Sequence, residues 1–220
     1  MRSFEEIHAI AADRKGGAEA LESLLTKPKP PEEVAKVPED RWLAGFSRAI
    51  FQTGISWKVV DNKWDGIEAA FKGFDVGACA MMDDDWFDAL LADTRIIRHG
   101  AKVQSVRDNA AFLLALRDRG GAGTLFAGWP ASDYAGLLAL LKTEGSRLGA
   151  STGQYAMRYQ GRDGYMMSRD VVARLVAEGV IDKAPSSKRA MTAVQGAFNT
   201  WMDESGRSLT EISRMLAFSV

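Results

Sequence analysis

The sequence predicts an all-α protein. Apolar residues recur at helical spacing in most segments, and the strict alternation of a half-buried strand is nearly absent. Glycine, proline and aspartate separate these segments, as is typical of helices joined by turns. With 220 residues and 46% apolar content, the chain can bury one core or form two lobes that share a cleft. The predicted fold class is therefore all-α, either with one core or as a helical bundle of two lobes with a cleft.

The first helices precede a proline-rich segment. Residues 4–11 and 18–25 carry two helical stripes that a Gly-Gly pair separates. The following segment, 26–40, holds four of the six prolines, and such a segment is extended on the surface rather than packed. We therefore predict an N-terminal helical appendage with a Pro-rich linker in residues 1–37, and one main domain in residues 38–220.

The main domain is predicted to begin with a helix after Pro38. A proline at a helix start loses no hydrogen bond, and the acidic residues that follow it face the positive end of the helix dipole. Ser168 is a predicted N-cap, because it stands before another helical stripe. Further helical stripes lie in residues 64–74, 87–91, 103–116, 137–141, 171–176, 186–201 and 208–218.

The formal net charge is −1, but the two halves of the chain differ in sign. Residues 1–94 contain 11 Lys and Arg against 18 Asp and Glu, whereas residues 95–220 contain 17 against 11. A protein that binds nucleic acid needs only one basic face. The asymmetry is therefore compatible with DNA binding, although it does not require it.

Cysteine content and hydropathy indicate the compartment. Cys79 is the only cysteine, which excludes an intramolecular disulfide and favours a reducing compartment, with core packing as its expected role. The apolar runs are short and interrupted by charges, and residues 1–13 lack the basic start and apolar run of a signal peptide. We therefore expect a cytoplasmic protein with no membrane partner. A monomer is a separate expectation that these features do not decide.

A basic turn within residues 94–110, TRIIRHGAKVQSVRDNA, is the first candidate binding site. Ile96 and Ile97 precede Gly100, and further apolar residues follow at helical spacing, which predicts a helix, a tight turn and a second helix. Backbone N–H groups at a helix start, together with nearby cations, suit a phosphate or another anion. For any one of these cations the alternative is a solvated surface residue. The cations are Arg95, Arg98, His99, Lys102 and Arg107.

Two sequence motifs together resemble a known family. QTGISW begins at Gln52, and RIIRHGAKVQSVRDNA follows from Arg95. In this order and at this separation they resemble the 3-methyladenine DNA glycosylase I family, within the helix-hairpin-helix DNA glycosylase superfamily. The resemblance implies an all-helical repair enzyme that flips a damaged base out of double-stranded DNA and hydrolyses its N-glycosidic bond, without a cofactor. It also implies association with the DNA of the nucleoid.

The resemblance assigns residues to a base site and a DNA site. Trp57 falls on the family's pocket tryptophan and would stack on the flipped base, and Gln52 and Ser56 match in the same motif. The alternative is that Trp57 is simply one of six core tryptophans. Four residues of the first basic turn would hold the DNA backbone: Arg98, His99, Gly100 and Lys102.

A second hairpin is expected at LGASTGQYA, which starts at Leu148. It resembles the superfamily hairpin whose glycines let backbone N–H groups approach a phosphate, and Gly149 and Gly153 are the candidates for that contact. Ala150 and Thr152 stand at two positions where the superfamily has glycine.

The superfamily also places a catalytic aspartate before the next helix. That position aligns with Ser168 and, two residues later, with Asp170. A carboxylate there would stabilise an oxocarbenium-like sugar and orient water. The alternative is that Asp170 is a first-turn residue favoured by the helix dipole. Glycosylase I enzymes lack this aspartate and rely on a positively charged leaving group, so activity does not depend on it.

Two departures from the family concern substrate and metal. The family's base-reading glutamate lies three positions before the glutamine of QTGISW, where this chain has Ala49. A cationic purine is recognised through its charge and its donors, so the damaged base stays open, with Asp61, Asp65 or Asp170 as candidate replacements. The family also binds structural zinc, but one cysteine and two histidines cannot supply four ligands, and we predict no metal.

The leading hypothesis is a monofunctional DNA glycosylase for an alkylated, 3-methyladenine-like purine, since no lysine is placed to form a Schiff base. A non-catalytic DNA-binding relative that kept the scaffold and lost the pocket is the first alternative, and Ala49 favours it. A helical protein-interaction module is the second alternative, which the near-neutral charge and the acidic N-terminal half favour.

Overall fold

The computed structural model describes all 220 residues, and its secondary structure consists of helices and turns without a strand. The predicted all-α class is confirmed. No helix combines the length and the hydropathy that a bilayer span requires. In chain order the α-helices are α1 (Phe4–Lys15), α2 (Ala18–Ser23), α3 (Pro31–Val34), α4 (Glu39–Gln52), α5 (Trp57–Asn62), α6 (Trp64–Ala70), α7 (Val76–Ala80), α8 (Asp84–Ala92), α9 (Gly100–Ala115), α10 (Ala122–Gly128), α11 (Tyr134–Glu144), α12 (Ala150–Tyr159), α13 (Arg169–Ala177), α14 (Lys188–Ser205) and α15 (Leu209–Phe218).

The chain forms two compact units, each assembled from separate segments. Unit 1 comprises Met1–Lys29, Pro130–Gly136 and Asp163–Val220, and unit 2 comprises Pro30–Trp129 and Leu137–Arg162. This grouping differs from the sequence-based division at residue 37. Helix α1 packs against α14 and α15, a pairing between the two ends of the chain that helical periodicity cannot reveal.

Aromatic packing forms the centre of unit 1. The rings of Tyr165 and Phe198 stack with centroids 4.5 Å apart. Tyr134 lies edge-on to Tyr165 at 4.9 Å, and Trp201 lies edge-on to Phe198 at 5.7 Å. All four side chains are buried, and offset or edge-on ring pairs of this kind stabilise a core beyond their buried area.

The start of α1 is fixed in unit 1 by two carboxylates, of which Glu178 is buried and Glu204 is exposed. The Arg2 guanidinium donates to Glu178 Oε1 at 2.7 Å, and the Phe4 N–H donates to Glu204 Oε2 at 2.6 Å. Burial works to raise the pKa of Glu178, but hydrogen bonds from Arg2 and Arg174 outweigh it and lower the pKa. These bonds fix the first residues of the chain within unit 1.

Helix α4 is the central element of unit 2, and it packs against both α9 and α12. Trp42 and Phe46 lie one turn apart on α4 and contact Phe126 of α10, with the Trp42 and Phe126 ring centroids 4.8 Å apart. Trp42, Phe46 and Ile50 are all buried, as their four-residue spacing predicts.

The proline-rich segment contains a packed turn. Pro31–Val34 form helix α3, with Pro31 at a position where a proline loses no hydrogen bond. Val34 is buried, and the backbone carbonyl of Ala35 lies against Gly123 of α10. The expectation of an extended, surface-lying linker therefore does not hold for this turn, because Val34 anchors it to the core.

Two helical hairpins are present at the predicted places. The first consists of α8, the turn 93–99 and α9, and the second of α11, the turn 145–149 and α12. In the first hairpin, Ile96 and Ile97 lie in the turn rather than in a helix, which corrects the sequence-based prediction. Ile96 is buried, so its apolar character reflects the packing of the turn and not helical periodicity.

Two glycines on α10 provide a matched test of this packing. Gly123→Ala places a Cβ against the Ala35 carbonyl, and we expect overpacking of this kind to lower the free energy of unfolding by about 1–3 kcal/mol. Gly128→Ala on the same helix meets open space, so its stability should stay the same or rise by up to about 1 kcal/mol through helix propensity. Urea denaturation of both variants measures the difference. Equal stability of the two would contradict the packing of α3 on α10.

Candidate functional site

The QTGISW loop connects α4 to α5. Helix α4 ends at Gln52, Gly54 adopts a φ of 71°, and α5 begins at Trp57. This positive φ explains the glycine, since residues with a side chain rarely adopt it. Ser56 directly precedes α5, but its side chain makes no capping hydrogen bond.

Trp57 is not a core tryptophan. Its side chain is 45% exposed, whereas Trp42 and Trp201 are fully buried. The ring of Tyr155 contacts it edge-on, with a centroid distance of 4.9 Å and an interplanar angle of 87°. Tyr159, one turn later on α12, continues the aromatic row 6.2 Å from Tyr155. An exposed indole beside further rings offers a face on which a planar base can stack.

Gln52 connects the aromatic row to a carboxylate. Its buried side chain accepts a hydrogen bond from the Tyr159 hydroxyl at 2.5 Å, and its Nε2 donates to Asp61 Oδ1 at 3.3 Å. Burial raises the pKa of Tyr159, so the phenol stays protonated at neutral pH and remains a donor. The two bonds fix the orientation of the Gln52 amide.

Three residues of this cluster were not identified from the sequence, namely Arg48, Tyr155 and Tyr159. The Arg48 guanidinium pairs with Asp61 at 2.8 Å and lies over the rings of Trp64 and Tyr159, at 5.2 and 5.7 Å from their centroids. The two tyrosines stand four residues apart in a predicted helix, which places them on one face. That spacing was a usable signal, but the sequence alone does not say which helix faces α5.

Ala49 brings no carboxylate to the cluster. It lies on α4 and is 5% exposed. Of the three candidate replacements, Asp61 is the one that contacts Gln52. Asp65 is an exposed residue in the first turn of α6, and Asp170 belongs to unit 1.

Arg98, His99 and Gly100 lie at the N-terminus of α9. His99 is the N-cap residue, although its side chain makes no capping hydrogen bond, and Gly100 is the first helical residue. Arg98 and His99 are exposed. Arg98 has no carboxylate partner, whereas the nearby Arg95 binds Asp93 through Nε and Nη2. The arrangement is suited to an anion, because the helix dipole and an unpaired guanidinium meet at one place.

Lys102 differs from its neighbours in this turn. It is 5% exposed, and its Nζ donates to the carbonyl oxygens of Phe51 at 3.0 Å and Thr53 at 2.6 Å. Burial, together with the charge of Arg147, lowers the pKa of Lys102. The predicted phosphate contact of Lys102 is therefore not supported. Its ammonium instead holds the C-terminal end of α4, and with it the QTGISW loop, against α9.

The second hairpin starts α12 with an unusual backbone. Gly149 is the N-cap residue, and Ala150 adopts a φ of 50°. Glycine is favoured in this left-handed conformation, which agrees with the glycine that the superfamily has at the position of Ala150. Gly153 is buried, and a Cβ there would lie 2.5 Å from the carbonyl oxygen of Leu148. Close packing therefore accounts for Gly153, and its predicted phosphate contact is not supported.

Asn109 joins the two hairpins. Its Nδ2 donates to the Ser146 carbonyl at 2.9 Å, and its Oδ1 accepts from the Ser146 N–H at 2.8 Å. Asp108 accepts a further bond from the Ser146 hydroxyl at 3.0 Å. The amide thus pairs with the backbone of Ser146 as another backbone segment would, which fixes the turn 145–149 to α9.

Ser168 and Asp170 lie at the start of α13 in unit 1. The Ser168 hydroxyl accepts a hydrogen bond from the Val171 N–H at 3.3 Å, which confirms the predicted N-cap. Asp170 is exposed in the first turn, where the helix dipole favours a carboxylate. The catalytic assignments of these two residues stay predictions.

Cys79 is a core residue, as predicted. It is fully buried, and its thiol donates to the carbonyl oxygen of Phe71 at 3.5 Å. Burial raises its pKa to about 12, so the thiolate is not populated at neutral pH. No group of three or more His, Cys, Asp or Glu side chains is arranged to hold a metal ion.

Comparisons with known proteins identify similar chains. The methyladenine glycosylase family model matches residues 42–129. DNA-3-methyladenine glycosylase 1 of Escherichia coli (strain K12) is 35% identical over 69 residues, which are 31% of this chain and 37% of that protein. The crystal structure of 3-methyladenine DNA glycosylase I (TAG) has a TM-score of 0.49 and 25% identity, over 61% of this chain and 81% of that chain. The chain thus spans 37% of the length of the curated relative it matches.

The segment matched by the family model contains most of α4, the QTGISW loop and the first hairpin. It therefore includes Gln52, Trp57 and Arg98, and it ends before the second hairpin begins. Over residues 42–129 the chain is similar to the methyladenine glycosylase family, which confirms the resemblance inferred from its sequence.

Proposed function

We propose that the protein is a DNA glycosylase that hydrolyses the N-glycosidic bond of an alkylated purine in duplex DNA. The observation that carries this proposal is the exposure of Trp57 within the segment that matches the family model. A flipped base needs an aromatic surface to replace the stacking it loses, and Trp57 with the edge-on ring of Tyr155 offers that surface. The fixed amide of Gln52 lies in the same cluster and can read polar atoms of the base.

The DNA contacts that we propose lie at two helix starts in unit 2. Arg98 and His99 are exposed beside Gly100 at the start of α9, and Gly149 precedes α12. Asn109 fixes the second of these starts relative to the first, through Ser146. Contacts of this kind hold the phosphate backbone and carry no sequence information, as an enzyme that searches for damage requires. We propose that the protein acts as a monomer.

The proposed reaction uses water and no covalent enzyme intermediate. An alkylated purine that carries a positive charge is already an activated leaving group. Lys102 is engaged with two carbonyl oxygens, so it is not available as a Schiff-base nucleophile, which favours a monofunctional hydrolase. Of the two proposed catalytic residues, Asp170 has the exposed carboxylate, whereas the Ser168 oxygen is engaged as a helix cap. Asp170 would stabilise positive charge on the sugar.

A non-catalytic DNA-binding relative is the second candidate function. The observation that favours it is the buried Ala49 on α4, at the position of the family's base-reading glutamate. Such a protein would keep the DNA contacts and the exposed Trp57 but would not release a base. Both functions predict binding to duplex DNA, so binding does not distinguish them. Release of a free base is expected only of the glycosylase.

Release of free bases from methylated duplex DNA tests the enzymatic proposal. We expect the purified protein to release methyladenine, and we expect Trp57→Ala to reduce the rate by about tenfold or more through loss of base stacking. Trp57→Phe is the matched variant, because it keeps an aromatic face and should retain most of the activity. Base release that is indifferent to Trp57→Ala would contradict the role of this residue. No release with intact duplex binding would favour the non-catalytic relative.

The salt dependence of DNA binding tests the phosphate contacts. Arg98→Gln should reduce the slope of log affinity against log salt by about 1, since each phosphate contact releases about one counterion. Arg95→Gln is the control in the same turn, and it should change the slope less because Asp93 already pairs with Arg95. Fluorescence anisotropy with a labelled duplex at several salt concentrations measures both slopes. An unchanged slope for Arg98→Gln would exclude Arg98 as a phosphate contact.

A further inference from the structure

Three helices of unit 2 each contribute a pair of side chains to one cluster, and the members of each pair are four residues apart. The four-residue spacing places both side chains of a pair on the same helix face. The ring of Trp57 on α5 meets the ring of Tyr155 on α12 edge-on. The remaining side chains form one hydrogen-bonded group, which consists of an ion pair, an amide and a phenol. The pairs are Arg48 and Gln52 on α4, Trp57 and Asp61 on α5, and Tyr155 and Tyr159 on α12.

Asp61 has one carboxylate oxygen left for a ligand. Its Oδ1 accepts hydrogen bonds from Arg48 Nη2 at 2.8 Å and from Gln52 Nε2 at 3.3 Å. Its Oδ2 has no donor from the protein, and the side chain is 44% exposed. Because Asp61 and Trp57 are four residues apart on α5, the Asp61 carboxylate and the exposed indole share one face of the helix.

Arg48 places a permanent cation beside the same carboxylate. Its guanidinium lies over the rings of Trp64 and Tyr159, within the distance of a cation–π contact. Its Nε is buried and has no hydrogen-bond partner, so the side chain is incompletely satisfied in this position. The Arg48 and Asp61 side chains are 38% and 44% exposed, and an ion pair with that exposure is weak enough for a ligand to compete with it.

We infer that Asp61 determines the charge specificity of the base site and that Arg48 competes with a cationic ligand for the Asp61 carboxylate. A planar cationic ring that stacks on Trp57 is stabilised by the negative charge of Asp61, whose free oxygen accepts from an amino group at the ring edge. While Arg48 is paired with Asp61, that charge is neutralised, and the preference for a cation over a neutral ring is reduced. The inference rests on the proposed function for the nature of its ligand, a positively charged alkylated purine.

The test compares binding of a permanent cation with binding of a neutral ring of the same ring system and similar size. We would titrate 1-methylquinolinium and 2-methylquinoline at pH 8 into the full-length protein, using calorimetry, and repeat this with Arg48→Gln, Asp61→Asn and the double variant. Arg48→Gln should tighten binding of the cation by about three- to tenfold, and Asp61→Asn should weaken it by about the same factor. Binding of the neutral ring should change by less than about twofold in either variant. The double variant should bind the cation more weakly than Arg48→Gln does, because the tighter binding in Arg48→Gln requires the Asp61 carboxylate.

Opposite effects of the two substitutions separate charge recognition from a general loss of structure, since a damaged fold cannot bind the cation more tightly. The inference is overturned if Asp61→Asn leaves the ratio of the two affinities unchanged, if Arg48→Gln weakens cation binding, or if Arg48→Gln binds no quinolinium. Selective binding of the cation without base release from methylated DNA would retain Asp61 as the specificity residue and reject the glycosylase activity. Base release from methylated DNA, together with an unchanged ratio of cation to neutral-ring affinity in Asp61→Asn, would retain the glycosylase activity and reject Asp61 as the specificity residue.

Discussion

The contact on which the candidate site depends is the buried ammonium of Lys102. It donates to the carbonyl oxygens of Phe51 and Thr53, which stand at the C-terminal end of α4 where the helix leaves carbonyl groups unpaired. Removing a charged amine from water is costly, and the lowered pKa of Lys102 reflects that cost. Two hydrogen bonds from a charged donor, at the negative end of a helix dipole, offset it. One side chain of α9 thereby binds both the last turn of α4 and the start of the QTGISW loop.

The position of this loop determines what the cluster can bind. Because α4 ends at Gln52 and Gly54 turns the chain through a left-handed conformation, Trp57 opens α5 with its ring exposed and edge-on to Tyr155. The Gln52 amide is meanwhile fixed between Tyr159 and Asp61. An exposed aromatic ring, a fixed amide and a carboxylate therefore occur in one cluster, although no single helix supplies all three.

A second link fixes the two hairpins to each other. The amide of Asn109 pairs with the backbone of Ser146, so the start of α12 is held relative to α9 by two hydrogen bonds. The backbone of this turn is strained, with Arg147 and Ala150 both at positive φ. A turn that is anchored in this way can keep such a conformation, and it presents the start of α12 in a defined place.

Helix positions and caps were determined by the sequence itself, whereas the partners of individual side chains were decided by the tertiary structure. Ser168 caps α13 as its place before an apolar stripe predicts, since capping is a local interaction over three residues. The prediction failed where the reason for an apolar residue was not local, as with Ile96 in the hairpin turn and Val34 in the proline-rich segment. The same limit applies to the site. Arg98 and Lys102 are equivalent cations in the sequence, but one is exposed and the other is buried against α4, because burial depends on which helices pack together and not on spacing along one of them.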